Sequence, residues 1–221
     1  MCKVYKDNPV VNHRSKLKKQ MEELAKIVRQ AEQSMNKRET LRKLLINGLE
    51  SKGEHIPNHV KCEGCFDSGK VTEKRLCRCM YYFNADKEKV CDACNIKAKW
   101  KNVGLSVVTE YEYPTKYVLD NVGGIDLIFD NVYAVEVKPQ NSNETLVRMF
   151  AEILTYTIDY DYKPAICFFE DSKQMSDYKR LRAEGNEALS YLCSLIKVFY
   201  FHTETKDGIV EFEIKEIEDL K

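Results

Sequence analysis

Three charged residues interrupt two apolar segments in the middle of the chain. Asp126 lies within the run 125–129, and Glu136 and Lys138 lie within the run 132–138. Both runs are rich in β-branched and aromatic residues, so they predict two strands. Alternation along the second strand puts Glu136 and Lys138 on one face. Because a charge in such a strand is costly unless it is paired or binds a cation, these residues predict a site.

The residue types indicate metal-dependent chemistry. Asp130-Asn131 between the two runs is a tight-turn signal, so the strands should form a hairpin that brings Asp126 and Glu136 together. Two carboxylates on neighbouring strands can hold Mg²⁺ or Mn²⁺. Such a cation polarises a phosphoryl oxygen and lowers the pKa of a bound water. Lys138 would then orient the nucleophile and offset negative charge in the transition state.

The two segments, Gly124–Phe129 and Tyr133–Lys138, resemble the D…ExK core of the PD-(D/E)xK nuclease superfamily. The resemblance implies an α/β fold with a restriction-endonuclease-like mixed β-sheet core flanked by helices. It also implies a Mg²⁺-dependent nuclease that hydrolyses phosphodiester bonds, with DNA as the favoured substrate. Asp126 and Glu136 would be the metal ligands and, with Lys138, the catalytic residues. The family's proline before the aspartate is absent, since Gly124 and Ile125 stand there.

The resemblance also covers accessory residues. Glu152 and Tyr156, four apart on the next predicted helix, are similar to the Q-x-x-x-Y motif of RecB-like nucleases, with glutamate in place of glutamine. Gln140 is similar to a polar residue that follows the lysine in several members. In this family a helix before the first strand often supplies another metal-side glutamate, and Glu88 is the candidate for that role.

Other interpretations of the three charged residues stay open. They could form a structural ion pair, with the chain a catalytically inactive copy of the fold that binds nucleic acid or protein. A metal-dependent enzyme that acts on another substrate is a third interpretation. A structure in which Asp126, Glu136 and Lys138 converge would favour the enzyme.

Six of the nine cysteines are clustered, and they are Cys62, Cys65, Cys77, Cys79, Cys91 and Cys94. With no export signal, paired cysteines predict metal ligands before disulfides. A small zinc module fits this spacing, with one ion on Cys62, Cys65, Cys77 and Cys79 or on Cys62, Cys65, Cys91 and Cys94. His55 and His59 are further candidate ligands. An Fe–S cluster, which some RecB-like nucleases carry, is the competing assignment. The resemblance favours zinc, because the cysteines of those relatives usually bracket the nuclease core, whereas all six here precede it.

Charge is distributed unevenly along the chain, although the net charge is zero. Residues 1–101 hold 23 Lys and Arg against 13 Asp and Glu, and residues 102–221 hold 12 against 22. Basic residues with interleaved aromatics surround the cysteines, which fits contact with phosphates and bases of a nucleic acid. The alternatives are that the two halves attract each other, and that the aromatics pack the core of the cysteine module.

The N-terminal region is predicted to be helical. Apolar residues with alternating spacings of four and three follow one another through residues 14–37, namely Leu17, Met21, Leu24, Val28, Ala31 and Met35. A second helix should follow, with Asn36 or Thr40 as its cap. The stripe predicts either a homodimer through these helices or packing on the rest of the chain, and its short length favours packing.

These features divide the chain into three parts. Residues 1–53 form an N-terminal helical region, 54–95 the cysteine-rich metal module, and 96–221 the nuclease-like domain. Helices are predicted at 86–101, 143–158 and 174–195, and further strands at 107–113, 165–169, 198–201 and 209–214. No apolar run approaches the ~20 residues that span a bilayer. Because the N-terminus also lacks the apolar core of a secretory signal, a cytoplasmic location is expected.

Overall fold

The structure is a computed structural model that describes residues 13–43, 72–84, 90–91, 97–101, 108–113, 124–158 and 160–217. Its helices are α1 (His13–Glu32), α2 (Lys37–Leu41), α3 (Glu73–Asn84), α4 (Leu146–Tyr156), α5 (Lys173–Ala183) and α6 (Glu187–Leu195). Its strands are β1 (Val90–Cys91), β2 (Lys97–Lys101), β3 (Val108–Tyr113), β4 (Ile125–Phe129), β5 (Tyr133–Lys138), β6 (Lys163–Phe169), β7 (Lys197–Lys206) and β8 (Ile209–Glu216).

The strands form one mixed sheet with the order β1-β2-β8-β7-β6-β5-β4-β3. Strands β5, β6 and β7 run parallel to one another, and β2 pairs in parallel with β8. The pairs β3–β4, β4–β5, β7–β8 and β1–β2 are antiparallel. The connections from β5 to β6 and from β6 to β7 run through helices α4 and α5–α6, as is usual between parallel neighbours. The predicted α/β class with a mixed sheet and flanking helices is confirmed.

The hairpin β4–β5 carries the charged residues. Asp130 and Asn131 in its turn have φ values of 55° and 56°, the left-handed region that these two residue types tolerate best after glycine. Leu127 pairs with Val135 and Phe129 with Tyr133. The predicted hairpin is therefore confirmed, and continuing its register by one residue sets Asp126 opposite Glu136.

Two apolar layers cover the two faces of the sheet. On one face α1, α4, α5 and α6 contribute side chains to a core that includes Ile128, Ile166 and Phe168. On the other face α3 packs through Leu76 and Met80, in a core shared with β3–β8. Helix α3 lies within the part of the sequence predicted to be a cysteine-rich module, and its described residues belong to the packing of the sheet.

The apolar stripe of α1 is used within the chain. Leu17, Met21, Leu24, Val28 and Ala31 are buried in the core shared with α4 and α6, whereas Met35 is exposed. This is the packing alternative, and a homodimer through these helices stays a prediction. Although α1 spans 20 residues, none of the described helices is long and apolar enough to cross a membrane.

The predicted helix over residues 86–101 is wrong where the structure describes that segment. Residues 97–101 form β2, which pairs in parallel with β8 from Lys97 opposite Ile209 to Lys101 opposite Glu213. Their sequence, KAKWK, alternates with a period of two, which suits a strand. A segment without Pro and Gly can form a helix but need not do so. Here the edge of β8 offers backbone hydrogen bonds to this segment, and these favour a strand.

The single helix predicted over residues 174–195 is two helices. Helix α5 ends before Gly185, which has a φ of 64° and donates its backbone N–H to the carbonyl of Arg182. Asn186 then caps α6, and its side-chain oxygen accepts from the backbone N–H of Leu189 at 2.8 Å. Glycine after a helix and asparagine before one are the preferred end and start signals, so the break is local in origin.

Candidate metal centre

Strands β4 and β5 bring two carboxylates together. Carboxylate oxygens of Asp126, Glu136 and Glu73 all lie within 4.8 Å of one another. The second oxygen of Asp126 accepts a hydrogen bond from the backbone N–H of Val137 at 2.7 Å, which fixes the side chain against β5. The convergence that the alternating pattern predicted for Asp126 and Glu136 is therefore present.

Lys138 lies in the middle of these carboxylates. Its Nζ is 2.5 Å from Glu136, 2.6 Å from Glu73, 3.3 Å from Glu144 and 3.9 Å from Glu152. The Lys138 side chain is only 4% exposed. A buried ammonium needs such partners, because an unpaired buried charge strongly destabilises a fold.

Helix α3 supplies a carboxylate that the sequence did not reveal. Glu73 is the first residue of the helix, and the hydroxyl of Thr72 before it accepts from the backbone N–H of Arg75 at 3.4 Å. The apolar side of α3 packs on β3, β4 and β5, so its first turn lies beside Asp126. Glu88, the residue predicted for this role, lies outside the described residues. Glu73, which also lies on a helix before these strands, comes within 4.8 Å of Asp126 and Glu136.

Helix α4 forms the opposite wall of the site. Thr145 caps the helix, with its hydroxyl accepting from the backbone N–H of Arg148. Arg148, Glu152 and Tyr156 follow at intervals of four residues and therefore share one face of the helix, and Glu144 lies just before the cap. Glu144, Glu136 and Glu152 form a second group whose carboxylate oxygens lie within 4.8 Å of one another.

The loop that carries Glu144 is held by α5. The side chain of Gln174 is fully buried, and its Nε2 donates to the backbone carbonyls of Ser142 and Glu144 at 3.2 and 2.8 Å. These two hydrogen bonds fix the backbone immediately before α4. The position of Glu144 in the site therefore depends on α5 as well as on α4.

The site has an excess of negative charge. We define the carboxylate cluster as Glu73, Asp126, Glu136, Glu144 and Glu152. Within the described residues, the cations in contact with it are Lys138 and Arg148, the latter bonded to Glu152 at 2.7 Å and to Glu144 at 3.2 Å. Five carboxylates against two cations leave a formal excess of three negative charges. Such an arrangement favours the binding of further positive charge.

The pKa values of three carboxyl groups of the cluster are raised, so these groups hold their protons more tightly. Burial, and next the neighbouring Glu73 carboxylate, raise the pKa of Asp126 well above its ordinary value. Burial and then Asp126 do the same for the pKa of Glu136. The pKa of Glu73 is also raised by burial, although Lys138 opposes the shift. Each group therefore gains if a cation replaces the missing charge compensation.

The carboxylates also shift the pKa values of Lys138 and Tyr156. Burial alone would lower the pKa of Lys138, but Glu136 and Asp126 outweigh it and raise that pKa above its ordinary value. Lys138 is therefore always charged at neutral pH. Tyr156 is 5% exposed, and burial followed by the nearby Glu136 carboxylate raises the pKa of its hydroxyl. Glu152 thus contacts Lys138, and Tyr156 lies close enough to Glu136 to be affected by its charge.

Gln140 is not part of this arrangement. Its side-chain amide donates to Asp171 beyond the end of β6, and Gln140 is exposed. Sequence reasoning also missed Glu144 and Arg148, although their spacing of four with Glu152 on a predicted helix was a usable signal. Glu73 gave no comparable signal, because its helix was not predicted.

Only two of the clustered cysteines have described side chains. Cys77 and Cys79 lie on α3 and are buried in the core beneath the sheet. Burial and the nearby Asp126 carboxylate raise the pKa of the Cys77 thiol. Among the described residues, the groups of three or more candidate metal ligands contain carboxylates alone. The remaining predicted zinc ligands, Cys62, Cys65, Cys91, Cys94, His55 and His59, lie outside the described residues or, for Cys91, in β1 without a described side chain.

Comparisons of the chain with protein-family models, with curated proteins and with solved structures find no match. The geometry and charge of the carboxylate cluster are therefore the features that indicate a function.

Proposed function

We propose that this protein is a metal-dependent nuclease of the PD-(D/E)xK type, with its reaction centre at the carboxylate cluster. The observation that carries the proposal is the convergence of Asp126, Glu136 and Glu73 around Lys138, with a formal excess of negative charge. Carboxylate oxygens without sulfur or imidazole are the donors that a hard cation such as Mg²⁺ or Mn²⁺ prefers. The donor set therefore fits the cofactor that the family resemblance implied.

The chain's own residues would divide the work between them. Asp126 and Glu136 would hold the cation from the two strands, and Glu73 would add a ligand from α3. When bound, the cation supplies charge stabilisation at the phosphoryl group and activates a water molecule. Lys138 has a permanent positive charge beside the same carboxylates, so it would orient the nucleophile and stabilise the transition state. Tyr156 and Glu152 would position these groups from α4.

Phosphodiester bonds, and DNA first among nucleic acids, are the substrate that the resemblance to PD-(D/E)xK nucleases favours. For the cysteines, we propose a zinc site that supports substrate binding or stability. Because Cys77 and Cys79 are buried in the core on α3, we favour as its ligands Cys62, Cys65, Cys91 and Cys94. The surrounding lysines and arginines in this part of the sequence suit contact with phosphates.

One observation also supports a second function. The short contacts of Lys138 with Glu136 and Glu73 are those of a buried ion-pair network, and such a network can be structural. In that case the chain would be an inactive copy of the fold that binds nucleic acid or protein. Removal of one member lowers stability under either function, because it leaves a buried charge without its partner. The two functions differ in activity, since only a reaction centre has cleavage and Mn²⁺ binding to lose.

The proposal is tested with Asp126→Ala and Lys138→Ala. Both variants should lose cleavage of labelled DNA and RNA in Mg²⁺ or Mn²⁺, because one removes a cation ligand and the other the charge beside it. Each should keep its circular dichroism spectrum and zinc content. Binding of Mn²⁺, measured by calorimetry, should be lost in Asp126→Ala and retained in Lys138→Ala.

A matched control is Asp177→Ala, which removes a buried carboxylate that contacts Arg180 at 3.0 Å on α5. It should retain cleavage and Mn²⁺ binding, even if it lowers stability. Full activity in Asp126→Ala or in Lys138→Ala would contradict the assigned roles. Absence of any Mn²⁺ binding by the unaltered protein would favour the structural network instead.

A further inference from the structure

Arg148 differs in exposure from the other cation of the site. Both Lys138 and Arg148 contact Glu144 and Glu152, but the Lys138 side chain is 4% exposed and that of Arg148 is 30% exposed. Lys138 is enclosed by carboxylates from three elements. Arg148 is the more exposed of the two cations, so an anionic ligand can approach part of its side chain from solvent.

The guanidinium of Arg148 has N–H groups with no acceptor among the described residues. Its Nε donates to Glu152, and Nη1 contacts Glu144. The described residues offer no acceptor to Nη2, which therefore retains two N–H groups. A guanidinium holds its donors in one rigid plane, which an ammonium cannot do. Glu152 and Glu144 thus hold Arg148 in a fixed orientation in which Nη2 can donate to an oxygen of a ligand.

The two carboxylates beside Arg148 do not cancel this role. Glu144 and Glu152 also face Lys138 at 3.3 and 3.9 Å, so their charge is shared between two cations. A cation that engages either carboxylate would weaken its hold on the guanidinium. Burial lowers the pKa of Arg148, but Glu152 outweighs that effect and raises it, so the group stays charged at every working pH.

We propose that Arg148 binds a backbone phosphate of a polynucleotide at the mouth of the carboxylate cluster. This inference rests on the proposed nuclease function and extends it, because it assigns the substrate contact to a residue outside the D…ExK pattern. Arg148 is a substrate-binding residue in this proposal, and the enclosed Lys138 remains the group nearest the reacting atoms.

The test uses the full chain with Arg148→Ala, Arg148→Lys and the control Arg180→Ala. Arg180 is a suitable match: it lies on α5, is 25% exposed, and contacts Asp177 and Glu184 at spacings of three and four, but no carboxylate of the cluster. Binding of a fluorescent single-stranded oligonucleotide is followed by anisotropy over a range of salt concentrations, with Ca²⁺ in place of Mg²⁺ to prevent turnover. Steady-state cleavage in Mg²⁺ gives KM and kcat separately.

Arg148→Ala should weaken binding about tenfold, as the loss of a charge-assisted contact requires. The slope of log K against log salt should shrink by about 0.7, since one phosphate contact to a single strand is lost. Arg148→Lys should keep the slope but bind several-fold more weakly, because it keeps the charge and loses the planar group that Glu144 and Glu152 orient. In cleavage the effect should fall on KM, and Arg180→Ala should match the unaltered protein throughout.

A salt slope in Arg148→Ala equal to that of the unaltered protein would overturn the assignment to Arg148 while leaving the nuclease proposal in place. An equal loss of slope in Arg180→Ala would also overturn it, because the effect would then reflect total charge. If the unaltered protein neither binds nor cleaves any polynucleotide, both proposals fail together.

Discussion

At the scale of single residues, the carboxylate cluster holds negative charges close together, and their mutual repulsion costs free energy. Glu136 and Lys138 are each 3% exposed, and Asp126 and Glu73 approach Glu136 within 4.8 Å. Like charges this close cannot all ionise without cost. The fold can offset that cost by taking up protons or by binding a cation, and the two compete for the same oxygens.

This competition predicts how stability depends on pH. The folded-state pKa values of Asp126, Glu136 and Glu73 are raised, so the folded chain binds protons more tightly than the unfolded chain. Their stabilising contribution is complete below the ordinary carboxyl pKa, about 4. It is lost as pH rises through the raised values, at up to about 1.4 kcal/mol per pH unit for each proton. The raised pKa of Lys138 makes the unfolding free energy depend on pH only above the ordinary lysine pKa, near pH 10.

Urea unfolding in EDTA between pH 4 and 8 tests this expectation. The difference in unfolding free energy between the unaltered protein and Asp126→Asn should move in favour of Asn as pH rises, because the amide has no proton to lose. Comparing the two proteins cancels the contribution of groups outside the carboxylate cluster. Added Mn²⁺ should stabilise the unaltered protein most at the upper end of this range. A pH-independent difference would show that these carboxylates are not strained.

The sequence predicted the members of the cluster that share a hairpin and missed the member that comes from another part of the chain. Asp126, Glu136 and Lys138 stand out because each interrupts an apolar strand, and this signal is local. Glu73 is separated from Lys138 by 65 positions, and only the packing of α3 on the sheet brings the two together. An exposed-looking glutamate at the start of a helix has no pattern that predicts such a contact.

At the scale of elements, the turns of the β4–β5 and β7–β8 hairpins offer a comparison. The three-residue β4–β5 loop begins with Asp130-Asn131 at φ values of 55° and 56°, and the two-residue β7–β8 loop is Asp207-Gly208 at 52° and 75°. Both loops therefore contain two successive left-handed residues, which suit the twist of a hairpin. Glycine adopts that conformation without steric cost, whereas asparagine only tolerates it.

This comparison predicts a reciprocal pair of substitutions. Asn131→Gly should raise the unfolding free energy by about 0.5 kcal/mol, and Gly208→Asn should lower it by a similar amount. Asn131 is exposed and no atom lies within 4 Å of a Cβ added at Gly208, so neither change introduces a clash. Urea unfolding measures both. Destabilisation by Asn131→Gly would mean that the asparagine side chain makes a contact of its own in the turn.

Other elements show where sequence patterns mislead. Gly185-Asn186 carries a clear signal for the end of one helix and the start of the next, yet the surrounding apolar spacing predicts a continuous helix. Residues 97–101 carry three lysines, which are uncommon in strands, and they become a strand because β8 offers an open edge. The first difference could have been predicted from local rules, but the second depends on a partner more than a hundred residues away.

At the scale of the whole molecule, the N-terminal helix and the candidate site belong to one core. Helix α1 packs on α4, and α4 carries Glu152 and Tyr156 into the carboxylate cluster. The other side of α4 therefore depends on the apolar residues of α1 for its position. Residues predicted to be a separate helical region thus contribute to the stability of the sheet domain.

Substitution of Leu24 in the middle of α1 measures this coupling. Leu24 is fully buried, so Leu24→Ala should cost about 2–5 kcal/mol of unfolding free energy through lost burial and the cavity that remains. Lys26→Ala, two residues away on the exposed side of the same helix, should change it by less than about 0.5 kcal/mol. The two changes separate burial in the core from helix propensity.

Because α1 and α4 share one core, the Leu24→Ala variant should unfold in a single transition at a lower urea concentration. Its tryptophan fluorescence and its helical circular dichroism should change together in that transition. Two separate transitions, with the first confined to helical signal, would mean that α1 unfolds independently. The candidate site would then not depend on it. Mn²⁺ should shift the transition of Leu24→Ala and of Lys26→Ala upward by equal free energies, since neither residue touches the carboxylates and binding adds the same linkage term to each.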